Sequence, residues 1–217
     1  MTASPGSSAD VSDQPGSKPV LKRVERLKTA KWSVVTDQVQ LDADTVVNRD
    51  VVVHPGAVGV VALDERERVV MLRQYRHPVA SHLWEIPAGL LDEPGESPVA
   101  TAQRELVEEV GLVAAQWHRV IDLHSSPGMS SETIRVFLAR ELGDVDPALR
   151  PPPADEERDL IVVRVGLDDL VERVIGGHVR NSLAVAAILA VAECRRAEWR
   201  SLGPPEHPWP APSWGLG

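Results

Sequence analysis

The chain has 217 residues, 43% of them hydrophobic, and a net charge of −9. That is enough apolar material to fill one domain core, and with no lysine or arginine block to offset the acids it excludes a general nucleic-acid-binding surface. The single cysteine, Cys194, rules out an internal disulfide framework and fits a reducing cytoplasm, while the longest apolar run, Leu183 to Ala192, is too short to span a bilayer.

Residues 1 to about 19 are rich in Ser, Pro, Gly and Asp and lack an apolar segment, the composition of a disordered tail and not of a signal peptide. Residues 20 to 200 then read as a single domain. Trp32 to Leu41 and Thr45 to Val53 alternate as a hairpin about Asp42-Ala43-Asp44, forming an N-terminal strand pair within residues 30–54. Ala57 to Leu63 and Val69 to Tyr75 read as a second hairpin about Asp64-Glu65-Arg66-Glu67.

A helix follows between two local signals. Ser97 offers an N-cap oxygen, Pro98 suits the first helical position because its missing N–H would be unpaired anyway, and Gly111 can take the left-handed conformation that ends the helix. Val99, Ala102, Gln103, Leu106 and Val110 form a mostly apolar stripe for docking on a core. Strands are expected over Trp117–Leu123, Thr133–Ala139 and Leu160–Val165, and helices over Leu167–Ile175 and Asn181–Arg196, parted by Gly176-Gly177. Residues 201–217 form a tail rich in Pro and Gly that carries Trp209 and Trp214, the pattern either of docking onto a surface or of disorder.

The chemistry concentrates on the first helix. Glu105, Glu108 and Glu109 stand at offsets i, i+3 and i+4 and so share one face, where like charges repel unless a cation or solvent screens them. No Cys or His lies in the segment, so an oxygen-only set would favour Mg²⁺ or Mn²⁺, which would bridge phosphate oxygens and activate water. Arg104 lies four residues before Glu108, within salt-bridge reach. By themselves these carboxylates fit a solvated, salt-bridged helix face equally well.

The full pattern, Gly89, Glu96, Arg104-Glu105-Leu106-Val107-Glu108-Glu109 and Gly111-Leu112, resembles the signature box of the Nudix hydrolases over residues 89–112. It departs from the family pattern in having six residues, Leu90 to Gly95, where five are usual; the extra one falls at the Pro94-Gly95 turn. Gln74-Tyr75-Arg76-His77, Leu83-Trp84-Glu85-Ile86-Pro87-Ala88-Gly89, and Ser126-Pro127-Gly128 with Glu132 are similar to the corresponding regions of the ADP-ribose pyrophosphatase branch. The resemblance implies an α/β fold, the family's α/β/α sandwich with a mixed sheet, here with an N-terminal β-hairpin extension. It also implies metal-dependent hydrolysis of ADP-ribose to AMP and ribose 5-phosphate.

By position in the motif, Glu105 and Glu109 are the expected metal ligands, with the Ala88 carbonyl as a further donor and Glu108 either a ligand or the partner of Arg104. Glu96 is expected to brace the loop against the helix. The branch places its catalytic glutamate on a loop that matches Asp155-Glu156-Glu157-Arg158-Asp159, which favours Glu157 over Glu156 as general base, although the stretch also reads as a solvated acidic loop. Arg76 would meet the diphosphate and Glu85 the adenine or ribose edge; their alternatives are a strand-end salt bridge and a strand-edge acid. Glu132 would contact the terminal ribose or brace its loop. Arg49 falls where the family can reach into a partner's site, implying a homodimer with shared active sites.

His77, His82, His124 and His178 have no zinc spacing and read as surface or loop residues, and Ser125-Ser126 and Ser130-Ser131 read as turn chemistry. Two other functions would share much of this pattern. One is a Nudix diphosphatase for nucleotide sugars or NADH, differing in the contacts of Arg76, Glu85 and Glu132. The other is a non-catalytic ADP-ribose sensor, against which stand the intact glutamates and the lack of a basic winged-helix segment.

Overall fold

A computed structural model describes residues 11–146, 148, 150 and 160–209. Its strands are β1 (Val20–Lys28), β2 (Ser33–Gln40), β3 (Val46–Val53), β4 (Ala57–Ala62), β5 (Arg68–Arg76), β6 (Ser81–Glu85), β7 (Ala88–Leu90), β8 (Leu112–His124), β9 (Thr133–Asp144) and β10 (Ile161–Gly166). Its α-helices are α1 (Pro98–Val110), α2 (Leu167–Ile175) and α3 (Ser182–Arg196).

The strand β4 organises the rest. All six of its residues are buried, as befits a strand covered on both faces. Because side chains alternate along a strand, Val58, Val60 and Ala62 share a core with Ala102 and Leu106 of α1, while Ala57, Val61 and the following Leu63 share another with Leu170 of α2 and Ala184, Ala187 and Ile188 of α3. The sheet is ordered β7-β4-β9-β8, with β4 and β9 parallel and the other pairs antiparallel. This is the expected α/β/α sandwich with a mixed sheet. At Gly59 a Cβ would lie 3.0 Å from Leu183 and 3.1 Å from Ile86, so the absent side chain lets α3 approach the sheet.

One expectation is corrected and one is extended. The Asp64–Glu67 turn forms, with Asp64 Oδ1 accepting from the Arg66 and Arg68 amides, but β4 and β5 diverge beyond it. A bridge between Leu63 and Val69 joins them; β5 then pairs with β6 and β10 in a second sheet. Alternation marks each strand but does not say which strand it pairs with. At the N-terminus the expected hairpin forms as β2 and β3, and a further strand, β1, pairs with β2 to make a three-stranded sheet. In β1 every residue except Val24 is exposed, so no buried stripe announced it. It is held by its ladder to β2 and by Arg23, whose guanidinium grips buried Asp37 through two 2.7 Å bonds.

The helix boundaries follow their local signals. Ser97 Oγ accepts from the Ala100 amide, Pro98 opens α1, and Gly111 closes it at φ 64°. The docked stripe differs by one residue: Gln103 is exposed, and Thr101 is fully buried, its hydroxyl bonded to Glu96 and to the Ser97 carbonyl. Cys194 is buried in the core beside α3's apolar residues. Among the described residues no helix is long and apolar enough to cross a membrane.

Candidate active site

The β4–β7 edge, the N-terminal end of β9, the β5–β6 pair and α1 enclose a cleft of about 810 Å³. Of the residues expected to act, Arg76, Glu85, Ala88, Glu105, Glu109 and Glu132 all line it. They come from separate strands, a loop and one helix, and the fold gathers them.

The α1 carboxylates are fixed by contacts on both sides. Glu109 Oε2 accepts from the Ala88 amide at 2.9 Å, which ties the helix to β7. Glu105 lies against Gly89: a Cβ built there would be 2.0 Å from Glu105 Oε1, so the space a side chain would fill is taken by this carboxylate. Arg104 stands among the acids, donating to Glu105 at 2.7 Å, to Glu108 at 3.0 Å, and to both oxygens of Glu96 at 3.2 and 3.0 Å. Glu96 also accepts from Thr101, so it braces the loop to the helix as expected. The Arg104 bonds, reinforced by Thr101 and opposed by partial burial, hold the Glu96 carboxyl below the usual carboxylate range. Reciprocally, Glu96 first and then Glu105 and Glu108 raise the already high guanidinium pKa of Arg104. The Glu93–Glu96 turn, with Gly95 at φ 81° and the Glu96 amide on the Glu93 carbonyl at 3.2 Å, absorbs the extra loop residue.

Glu108 is held by Arg104 and does not line the cleft. Among the described residues no three His, Cys, Asp or Glu side chains converge as a preformed metal cluster. The donors that face the cleft from α1 and β7 are nevertheless all oxygens, the set suited to a hard divalent cation. Asp92 and Glu93 add further negative charge to the wall, where Lys31 pairs with Asp92. A phosphate entering this cleft without a cation would meet the carboxylates of Glu85, Asp92, Glu93, Glu105, Glu109 and Glu132, which outnumber the cations Lys31, Arg76 and Arg104.

On the second sheet Arg76 and Glu85 face each other across the β5–β6 ladder. Arg76 Nε meets Glu85 Oε1 at 3.0 Å and Nη2 meets Oε2 at 2.7 Å. The Glu85 side chain is 4% exposed and that of Arg76 43%, so the acid is the buried anchor and the guanidinium reaches the open side. The fork geometry fixes the guanidinium plane.

Glu132 is braced by Ser125, whose hydroxyl donates to Oε2, and lies 3.6 Å from His54 Nε2. His54, which lines the same cleft, has no motif in the sequence; its one local cue is the Pro55-Gly56 turn after a strand end. Its Nδ1 accepts from the Gly56 amide at 3.1 Å, and its own amide donates to Ser131 Oγ at 2.9 Å. Burial pushes the imidazole below the ordinary histidine value, with Glu132 partly opposing the shift. The serines are turn and bracing groups, and His77, His82, His124 and His178 are all exposed, as read from the sequence.

Besides Glu108, one described residue expected to act, Arg49, is not brought to the cleft. Arg49 is exposed on β3, opposite Asp37 of β2, with its guanidinium on the Asn48 carbonyl. Glu157, with Glu156 and the rest of its acidic loop, lies outside the described residues.

Comparison with known proteins agrees with this arrangement. The family model of the NUDIX domain matches residues 53–181, which span the cleft strands and α1. An ADP-ribose pyrophosphatase of Mycobacterium tuberculosis is 45% identical over 162 residues, 75% of this chain and 77% of that protein. One from Bacillus subtilis is 36% identical over 152 residues, 70% of this chain and 80% of its own length. A crystal structure of an ADP compounds hydrolase superposes with a TM-score of 0.72 at 22% identity, covering 87% of this chain and all of that one, and so shares its fold. A glutamate helix tied to the Ala88-Gly89 strand, within a domain match over more than half of the chain, makes this protein an enzyme of the Nudix hydrolase family.

Proposed function

We propose that the chain hydrolyses the diphosphate of ADP-ribose to AMP and ribose 5-phosphate, with Mg²⁺ or Mn²⁺. The observation that carries this reading is the meeting in one cleft of the α1 carboxylates with the Arg76–Glu85 pair and Glu132. It is supported by the relatives from M. tuberculosis and B. subtilis, whose name is ADP-ribose pyrophosphatase.

Glu105, Glu109 and the Ala88 carbonyl would hold the cation, with Glu108, engaged by Arg104 outside the cleft wall, taking part through water; the cation would supply charge neutralisation for the diphosphate and a lowered pKa for the attacking water. Arg76 binds the diphosphate through a guanidinium whose plane Glu85 sets. Glu85 uses both oxygens on Arg76 but keeps lone pairs for an adenine or ribose edge. Glu132, fixed by Ser125, receives the terminal ribose hydroxyls. Water adds to one phosphorus, the bridging P–O bond opposite breaks, and the proton passes to the general base, for which Glu157 is our candidate over Glu156. Arg49, exposed on the outer sheet, would serve the cleft of a second copy, in a homodimer with shared sites; a monomeric mass by light scattering would remove that role. A cytoplasmic setting suits the single cysteine.

The test is a substrate panel of ADP-ribose, nucleotide sugars and NADH, with Mg²⁺, with Mn²⁺ and with neither, following release of AMP or of the corresponding nucleoside monophosphate. ADP-ribose is expected to have the highest kcat/KM, and parity with NADH or a nucleotide sugar would refute the substrate. In the same assay Glu157→Gln should lower kcat by about a hundredfold or more with KM within a few-fold, and Glu156→Gln should not. The reverse pattern would move the base to Glu156.

A further inference from the structure

The segment after α3 stays on the domain. Gly203 and Arg119 of β8 exchange both backbone hydrogen bonds, each at 3.0 Å. Farther along, Arg135 of β9 donates to the carbonyls of His207 and Pro208, the latter at 2.8 Å. Its guanidinium also grips Asp122 at 2.7 and 2.9 Å and lies 5.2 Å from the centroid of the Trp209 ring. The Arg135 side chain is 1% exposed. Desolvating a guanidinium is costly, and here a carboxylate, two carbonyls and an aromatic face offset that cost together. The protein commits a buried cation to fixing three residues of its tail.

Trp209 is thereby held against the back of the cleft wall. A Cβ on Gly56 would lie 3.0 Å from Trp209 Cζ2, with Leu91 Cδ1 and the Thr133 carbonyl each at 3.3 Å. Gly56 has φ 96°, which a side chain would strain, so this turn is both tight and walled in. The same glycine donates its amide to His54 Nδ1 at 3.1 Å and accepts from the Leu91 amide at 3.1 Å. With Nδ1 an acceptor, the neutral imidazole carries its proton on Nε2, the nitrogen beside Glu132 in the cleft.

We infer that the strap Gly203–Trp209 is part of the active-site apparatus: Trp209, anchored by Arg135, is a positioning residue that holds the His54–Gly56 turn and so keeps His54 Nε2 in the cleft wall beside Glu132. Neither Trp209 nor Arg135 touches substrate in this scheme; both act through Gly56. The inference rests on the cleft being the site of hydrolysis, and the choice of ADP-ribose enters only as the first substrate to try.

The experiment compares wild type, Trp209→Ala and Trp209→Phe in the full chain, using whichever diphosphate the wild type hydrolyses fastest, so that an error about ADP-ribose leaves it intact. Trp209→Ala is expected to raise KM about tenfold with kcat within about threefold, and Trp209→Phe to recover most of the loss. By NMR the His54 ring, which burial holds down in the wild type, should titrate nearer the ordinary histidine value of about 6.5 in Trp209→Ala. A folded Trp209→Ala protein with wild-type KM and wild-type His54 titration would overturn the inference. Should that variant not fold, Trp209→Leu decides instead: a several-fold rise in KM with the His54 titration moved toward the ordinary histidine value supports the inference, and wild-type KM with wild-type His54 titration overturns it.

Discussion

Glu109→Gln is expected to reduce kcat on the order of a thousandfold, about 4 kcal/mol of transition-state stabilisation, while leaving the protein folded. The two expectations separate because the residue has two separable jobs. Its Oε2 accepts the Ala88 amide and so ties α1 to β7; a glutamine oxygen can accept the same bond. What glutamine cannot supply is negative charge at the point where the diphosphate must be neutralised. The checks are steady-state kinetics, a calorimetric Mg²⁺ titration, and the thermal midpoint. Loss of turnover with weakened Mg²⁺ binding and a midpoint within about 3 °C of wild type is the expected result. Wild-type turnover would sink the assignment of Glu109 to the cation, whatever the metal titration showed.

Gly89→Ala is expected to lower kcat/KM by about a hundredfold or more and to cost about 1–3 kcal/mol of stability. The backbone is not the reason, since Gly89 is not among the residues at positive φ. The reason is steric: the new methyl would sit 2.0 Å from Glu105 Oε1 and 2.1 Å from its Cδ, so either the carboxylate leaves its place or β7 moves away from α1. Moving β7 would also strain the Ala88–Glu109 bond, one residue away. Kinetics together with thermal unfolding read both costs. An alanine variant with wild-type activity would mean that Glu105 does not need the position it holds here.

Features set by neighbours in the chain are legible in the sequence alone. Ser97, Pro98 and Gly111 bound α1 because capping oxygens, a missing N–H and a left-handed residue act within one helical turn. The shared face of Glu105, Glu108 and Glu109 and the reach of Arg104 to Glu108 follow from helical spacing. Sequence and structure part where a distant partner decides. Thr101 displaces Gln103 from the buried stripe because Glu96 and the Ser97 carbonyl satisfy its hydroxyl. The strands β4 and β5 belong to different sheets because β7 and β9 take the two edges of β4, while β6 and β10 take those of β5.

By itself the sequence determined the family, the mixed α/β class, and the helix that carries the acids, because these are written in spacings of a few residues. The tertiary structure decided the pairing of Arg76 with Glu85, the seat of Glu105 in the space left by Gly89, the place of His54 beside Glu132, and the docking of the tail through Arg135 and Trp209. Each of these contacts joins separate elements of the fold, the last across more than seventy residues of chain. Such contacts form when folding closes the loops between the partners and buries the result. Periodicity and capping act over one or two turns and cannot specify which remote side chain arrives.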